Sequence, residues 1–119
     1  MNILIIDDEI PICELMDEFL SQQGHQVSTA IDGKDGISKF KKLRPEVVIL
    51  DIRMPGIGGI DVLRRIRMID TNVVVIMLSA FGDFHTIQES MHSGANYYME
   101  KPLDFKELLK ILHDTKGVK

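Results

Sequence analysis

Five short apolar runs alternating with five segments of helical period predict a doubly wound α/β fold, a five-stranded parallel sheet with helices on both faces. Two features support that class. Three of the runs are apolar on both faces, as strands covered on each side by helices must be. No long gap separates a run from the segment after it, so neighbouring strands are joined by right-handed crossovers.

The strand runs are ILII (3–6), HQVSTA (25–30), EVVIL (46–50), NVVVIML (72–78) and ANYYM (95–99). The first, third and fourth are the central strands by their two apolar faces. The second alternates Val27 and Thr29 with polar neighbours and the fifth is mixed, which places both at sheet edges. The first helix opens at Pro11, follows with Ile12, Leu15, Met16, Phe19 and Leu20 on one face, and closes at Gly24. The second carries Ile37, Phe40 and Leu43 and stops before Pro45, which disfavours helical geometry at Arg44. The third carries Ile60, Leu63 and Ile66, and the fourth Phe84, Ile87 and Met91 with Gly94 as terminator. The fifth carries Phe105, Leu108, Leu109 and Leu112 and finishes near Lys116. Each helix is expected to turn its apolar face to the sheet.

A length of 119 residues suits one domain with one proper core, read here as a single unit over 1–119 with no output domain. A net charge of −4 lacks the clustered basic excess of a nucleic-acid surface, so direct nucleic-acid binding is not expected. The single Cys13 can neither staple the fold nor build a thiolate metal site, and reads as a packed thiol in a cytoplasmic protein. The apolar start NILII is far too short for a signal peptide or a membrane span.

In a doubly wound sheet, ligands bind outside the carboxyl ends of the strands. The first strand delivers Asp7 and Asp8 there, the third Asp51, the fourth Ser79 and Ala80, and the fifth Lys101 with Pro102. Singly, each has an ordinary explanation: Asp7 and Asp8 end a strand and cap a helix, and Lys101 pairs with Glu100 or Asp104. Together at one sheet edge they are a site. Three close carboxylates repel unless a cation sits among them, and Mg²⁺ takes an octahedral set of oxygens with one or two carboxylates and several waters. Asp8 and Asp51 suit direct binding, with Asp7 acting through water. An ammonium and a hydroxyl opposite suit a phosphoryl group. Ser79 lacks a base, since His25, His85, His92 and His113 all fall away from strand ends and read as surface residues. Asp51 needs none, because a carboxylate is already a nucleophile.

The motifs LIIDDE (4–9), LDIRMPGIGG (50–59), LSAFGD (78–83) and MEKPLD (99–104), in this order and spacing, resemble a response-regulator receiver domain of two-component signal transduction, over essentially the whole chain. The resemblance implies strand order 2-1-3-4-5, a flavodoxin-like topology, with Asp51 as phosphoacceptor. It implies Mg²⁺, with Mn²⁺ as a substitute, held by Asp8, Asp51 and the carbonyl of Arg53, with Asp7 through water. Lys101 would bridge phosphoryl oxygens from a cis Lys101–Pro102 peptide, Ser79 would hydrogen-bond one of them, and the amides of Ile52 and Ala80 would complete the cradle. Tyr98 matches an aromatic switch position that turns in when Ser79 moves, altering the face made by helix 4, strand 5 and helix 5. The implied donor is a sensor histidine kinase or a histidine phosphotransfer protein, and the implied recipient a downstream effector, a fused output domain or a phosphorylation-dependent dimer. The chain is closer in flavour to sporulation-phosphorelay and transcriptional-activator receivers than to chemotaxis ones.

Some positions depart from the pattern. Gly58 stands where an acidic cap is frequent, giving the third helix a weaker start. Glu100 before Lys101 is unusual. Arg53 and Phe81, both bulky, flank the route of a hydrolytic water and imply a slowly lost phosphoryl group. A flavin module is disfavoured, because DDEIP after the first strand would repel an unbridged phosphate. A Mg-dependent aspartyl-phosphate phosphatase of similar topology would carry an acid two residues past its nucleophile, where this chain has Arg53. A degenerate binding-only receiver would not keep the complete acidic set.

Overall fold

Every apolar run is a strand and every segment of helical period a helix in the computed structural model, which describes residues 1–80 and 82–118, the side chains of 116–118 excepted. In chain order the elements are β1 (Asn2–Ile6), α1 (Ile10–Gln22), β2 (Gln26–Ala30), α2 (Gly33–Leu43), β3 (Val47–Asp51), α3 (Gly59–Ile69), β4 (Val74–Ser79), α4 (Phe84–His92), β5 (Tyr97–Glu100) and α5 (Phe105–Val118). All pairings are parallel and the order is β2-β1-β3-β4-β5, with β2 and β5 at the edges as their mixed patterns required.

Strand alternation divides the core into two layers. Leu4, Ile6, Val48, Leu50, Val75 and Met77 meet Ile37 and Phe40 of α2 and Val62, Leu63 and Ile66 of α3 on one face. Ile3, Ile5, Val47, Ile49, Ile76 and Leu78 meet Met16 and Leu20 of α1 and Leu108 and Leu112 of α5 on the other. Cys13 belongs to this second layer. Its thiol donates to the Asp7 carbonyl at 3.2 Å, and burial, then the Asp7 charge, push its pKa up to about 11, so it is a packed, unreactive thiol. Among the described residues no helix is long and apolar enough to cross a membrane.

Several expectations are corrected. The last two strands begin later than their apolar runs. Asp70 Oδ1 accepts from the amides of Asn72 and Val73, and Arg67 takes the Val73 carbonyl at 2.6 Å, so residues 72–73 turn instead of pairing. The Ala95 amide donates a hydrogen bond to the Ser90 carbonyl at 3.1 Å, so residue 95 belongs to the turn that closes α4. The apolar face of α4 does not meet the sheet. Phe84 is 78% exposed and Met91 44%, Ile87 is half-buried, and Ser90 is the fully buried residue of this helix. Leu15 and Leu43 are also exposed. Helical period identifies a face, while the neighbouring elements decide where that face looks. Arg44 adopts the left-handed region at φ 47, ending α2 before Pro45 as expected. The Lys101–Pro102 peptide is cis, also as expected.

Candidate functional site

Four strands end at one edge, and each brings a polar residue out of an apolar run. Asp7 follows β1, is fully buried, and is held by its amide on the Ala30 carbonyl (3.0 Å) and by its Oδ1, which accepts from the Glu9 amide (2.9 Å). Asp51 is the last residue of β3, in register with Leu78, and is 3% exposed. Ser79 ends β4, fully buried, in register with Glu100, and the Lys101 amide donates to the Ser79 carbonyl at 2.9 Å. That bond continues the ladder one residue beyond β5 and sets Lys101 at the edge.

Lys101 is the centre of the charge arrangement. Its Nζ lies 2.8 Å from Glu9 Oε1, 3.1 Å from Asp7 Oδ2 and 3.6 Å from Asp51 Oδ2. The ammonium donates a hydrogen bond to Glu9. Its contact with Asp7 is an ion pair without hydrogen-bond angles, and Asp7 Oδ2 is left buried with no hydrogen-bond partner. Burial, then the Asp7 charge, raise the Asp51 carboxyl to about 7, against the pull of Lys101 and of the Arg53 amide. The Lys101 ammonium also has its pKa raised: burial opposes the charge, but its partners Glu9, Asp7 and Asp51 outweigh that cost and hold it charged.

Carboxylate oxygens of Asp7, Asp8, Glu9 and Asp51 all lie within 4.8 Å of one another. An all-oxygen set, one member of which has an orphaned buried atom, fits a hard divalent cation such as Mg²⁺.

The loops over the site explain its glycines. A Cβ on Gly59 would stand 2.6 Å from Ile52 Cα and overlap the Asp51 carbonyl oxygen, so α3 begins against the backbone at the end of β3 only because this residue has no side chain. The Gly59 amide donates to the Ile52 carbonyl at 2.8 Å and fixes the loop. Gly58 caps α3 without a side-chain bond, as expected. Arg53, Ala80, Gly82 and Asp83 line the mouth. Arg53 is exposed there, and Phe81 lies outside the described residues.

Most of the predicted set converges, with one correction and one omission. The Ile52 amide donates to the Leu78 carbonyl at 2.9 Å, a rung of the β3–β4 ladder, so it is not available to a ligand. The next amide, that of Arg53, points at Asp51 Oδ1 from 3.4 Å. Glu9 is the residue that sequence reading passed over. It stood in the DDE triplet, but its reach to a lysine 92 positions away is a tertiary fact. Glu100 does not compete for Lys101; its carboxylate lies beside Gly82 and adds negative charge near Tyr98. The Tyr98 hydroxyl is already turned inward, buried without a hydrogen-bond partner, close against Gly82. Burial raises its pKa and the neighbouring Ser79 hydroxyl opposes that shift.

A parallel five-stranded sheet with an oxygen-rich acidic cluster at its switch point defines a class of doubly wound α/β protein. The family model described as response regulator receiver domain matches residues 3–113, and the chain belongs to that family. It is 39% identical to the sporulation initiation phosphotransferase F of Bacillus subtilis, over 90% of this chain and 86% of that protein. It is 35% identical to the chemotaxis protein CheY of Treponema pallidum, over 92% of this chain and 78% of that protein. The solved structure of Vibrio cholerae CheY4 superposes with a TM-score of 0.91 at 30% identity, covering 96% of this chain and 97% of that one.

Proposed function

We propose that this receiver domain is a phosphorylation-activated switch in which Asp51 accepts a phosphoryl group from a histidine kinase or histidine phosphotransfer protein. The observation that carries the reading is Asp51 itself, a carboxylate 3% exposed at a strand end with an ammonium 3.6 Å away. An Asp51 oxygen forms the new bond to phosphorus as the bond from phosphorus to the donor's imidazole nitrogen breaks. The imidazole leaves with the electron pair and takes up a proton. Asp8, Asp51 and the Arg53 carbonyl are the groups to hold Mg²⁺ or Mn²⁺, with Asp7 through water; the cation offsets the charge gathered on carboxylates and phosphoryl oxygens. Lys101 and Ser79 take phosphoryl oxygens, joined by the amides of Arg53 and Ala80.

Phosphorylation adds about −1.5 to −2 charge at Asp51. Drawing the Ser79 hydroxyl toward that charge removes the polar neighbour of the Tyr98 hydroxyl, which is how the change is passed to β5 and the exposed face of α4. Converting such a switch from mostly off to mostly on takes about 5.5 kcal/mol of differential affinity, so an effector, a fused output domain or a second copy shares the work with the phosphoryl group. Arg53 at the mouth shields the phosphoryl group and lengthens its life.

The test is incubation with a small phosphodonor and Mg²⁺. One acid-stable, base-labile phosphoryl group per chain is expected, lost in Asp51→Asn. Repeated release of inorganic phosphate at the rate of donor consumption would instead make the protein a Mg-dependent phosphatase.

A further inference from the structure

Lys101 is divided unequally among its three carboxylates. Glu9 Oε1, at 2.8 Å, is nearer than either buried aspartate and is the one that accepts a hydrogen bond from the ammonium. Asp51 Oδ2, at 3.6 Å, is the farthest. Glu9 is the N-cap of α1, yet its side chain makes no cap bond with that helix. Its backbone is tied to the acid pair through its amide on Asp7 Oδ1, while its side chain stays 55% exposed. An anchored backbone and a solvent-exposed carboxylate suit a partner that can let go.

Resting on the acceptor role of Asp51, we propose that Glu9 is a positioning residue that holds the Lys101 ammonium in a parked position, and that a phosphoryl group on Asp51 must displace Glu9 to engage Lys101. The three-way geometry supports this. The ammonium leans away from Asp51 toward an exposed anion, so the lysine is kept charged and ordered without neutralising the acceptor carboxylate. A phosphoryl oxygen added on Asp51 brings a stronger acceptor to the same ammonium. The Glu9 carboxylate then returns to water at small cost because it is already half solvated. Glu9 therefore sets how strongly the site holds a phosphoryl group, without touching it.

The test is binding of beryllofluoride, a phosphoryl mimic, to the full chain at saturating Mg²⁺, followed by amide NMR shifts. A partly exposed ion pair predicts about two- to fivefold tighter mimic binding in Glu9→Gln than in the wild type. Glu14→Gln, the same charge change on the exposed side of α1, should leave the affinity unchanged, and Mg²⁺ affinity of Glu9→Gln should stay within about threefold of wild type. Equal or weaker mimic binding in Glu9→Gln overturns the proposal, as does an equal gain in Glu14→Gln. A larger loss of Mg²⁺ affinity also overturns it, by making Glu9 a cation ligand. Failure of the wild type to bind the mimic at all defeats the acceptor reading as well, which separates the two.

Discussion

The two ends of the sheet each hold a charged cluster, and they are resolved in opposite ways. At the amino end, the Arg67 guanidinium makes four hydrogen bonds. Nε donates to the Gly94 carbonyl at 2.9 Å, one Nη to the Val73 and Asp70 carbonyls, and the other to Asn96 Oδ1 at 2.8 Å. Asn96 Oδ1 in turn accepts from the Val75 amide. At the carboxyl end, three carboxylates crowd one ammonium. The two buried polar side-chain atoms left without a hydrogen bond among the described residues, Asp7 Oδ2 and Tyr98 Oη, both lie there. A satisfied cluster spends its interactions on the fold, whereas a frustrated one is held in place by the rest of the molecule and awaits a ligand.

Breaking the satisfied end should give the largest effect. Arg67→Ala removes the donor to the Gly94 and Val73 carbonyls and to Asn96 Oδ1, which together tie α3 to the starts of β4 and β5, and the expected loss is about 3 kcal/mol of folding stability, read from denaturant midpoints. Arg67→Lys should recover little, because an ammonium cannot reproduce the guanidinium fork. A loss under about 1 kcal/mol for the alanine variant would mean that the clamp is decorative.

Gly59→Ala comes next, on the scaffold of the frustrated end. The added methyl meets backbone atoms of Asp51 and Ile52 that cannot swing aside, so about 2 kcal/mol of stability should be lost. Phosphoryl uptake should fall with it, since the carboxylate moves with its backbone.

The frustrated site itself should yield a gain. The Asp51 carboxyl has its pKa raised to about 7 in the fold, so the stability it contributes is fully present below its ordinary value near 3.8 and is lost as pH rises through about 7. Wild-type protein free of divalent cations should therefore lose stability from pH 5 to 8. Asp51→Asn should flatten that slope and be about 1 kcal/mol more stable at pH 8. Saturating Mg²⁺ should narrow the difference by offsetting the charge on wild-type Asp51. An unchanged pH slope in Asp51→Asn would place the frustration elsewhere.

What the sequence made legible follows the same division. β1, β3 and β4 were readable because strands apolar on both faces have few other fates, and Asp7, Asp51 and Ser79 because each interrupts such a run at its end. Strand starts at 74 and 97 were not, since Asp70, Arg67 and Ser90 capture the preceding backbone through contacts that no local pattern encodes. The Ile52 amide was misassigned because the ladder to Leu78 continues one residue past the strand. The role of Glu9 depends on a partner from the far side of the sheet.

The smallest expected effect on stability sharpens the comparison furthest, because it separates surface from site. Phe84 heads α4 at 78% exposure and lines an outward hollow with Ile87, Gln88, Met91 and His92. Removing its ring uncovers almost no buried apolar surface, so Phe84→Ser should shift the unfolding free energy by less than about 0.5 kcal/mol. Phosphoryl uptake on Asp51 should be unaltered, since the carboxylates, Lys101 and Ser79 all sit on other elements. What should change is capture of the phosphorylated form by its effector, because an exposed aromatic on a helix with a single fully buried residue is placed for a partner and not for the core. A Phe84→Ser protein that unfolds earlier by 2 kcal/mol or more would show the ring to be a packing element, and would remove α4 from the recognition face.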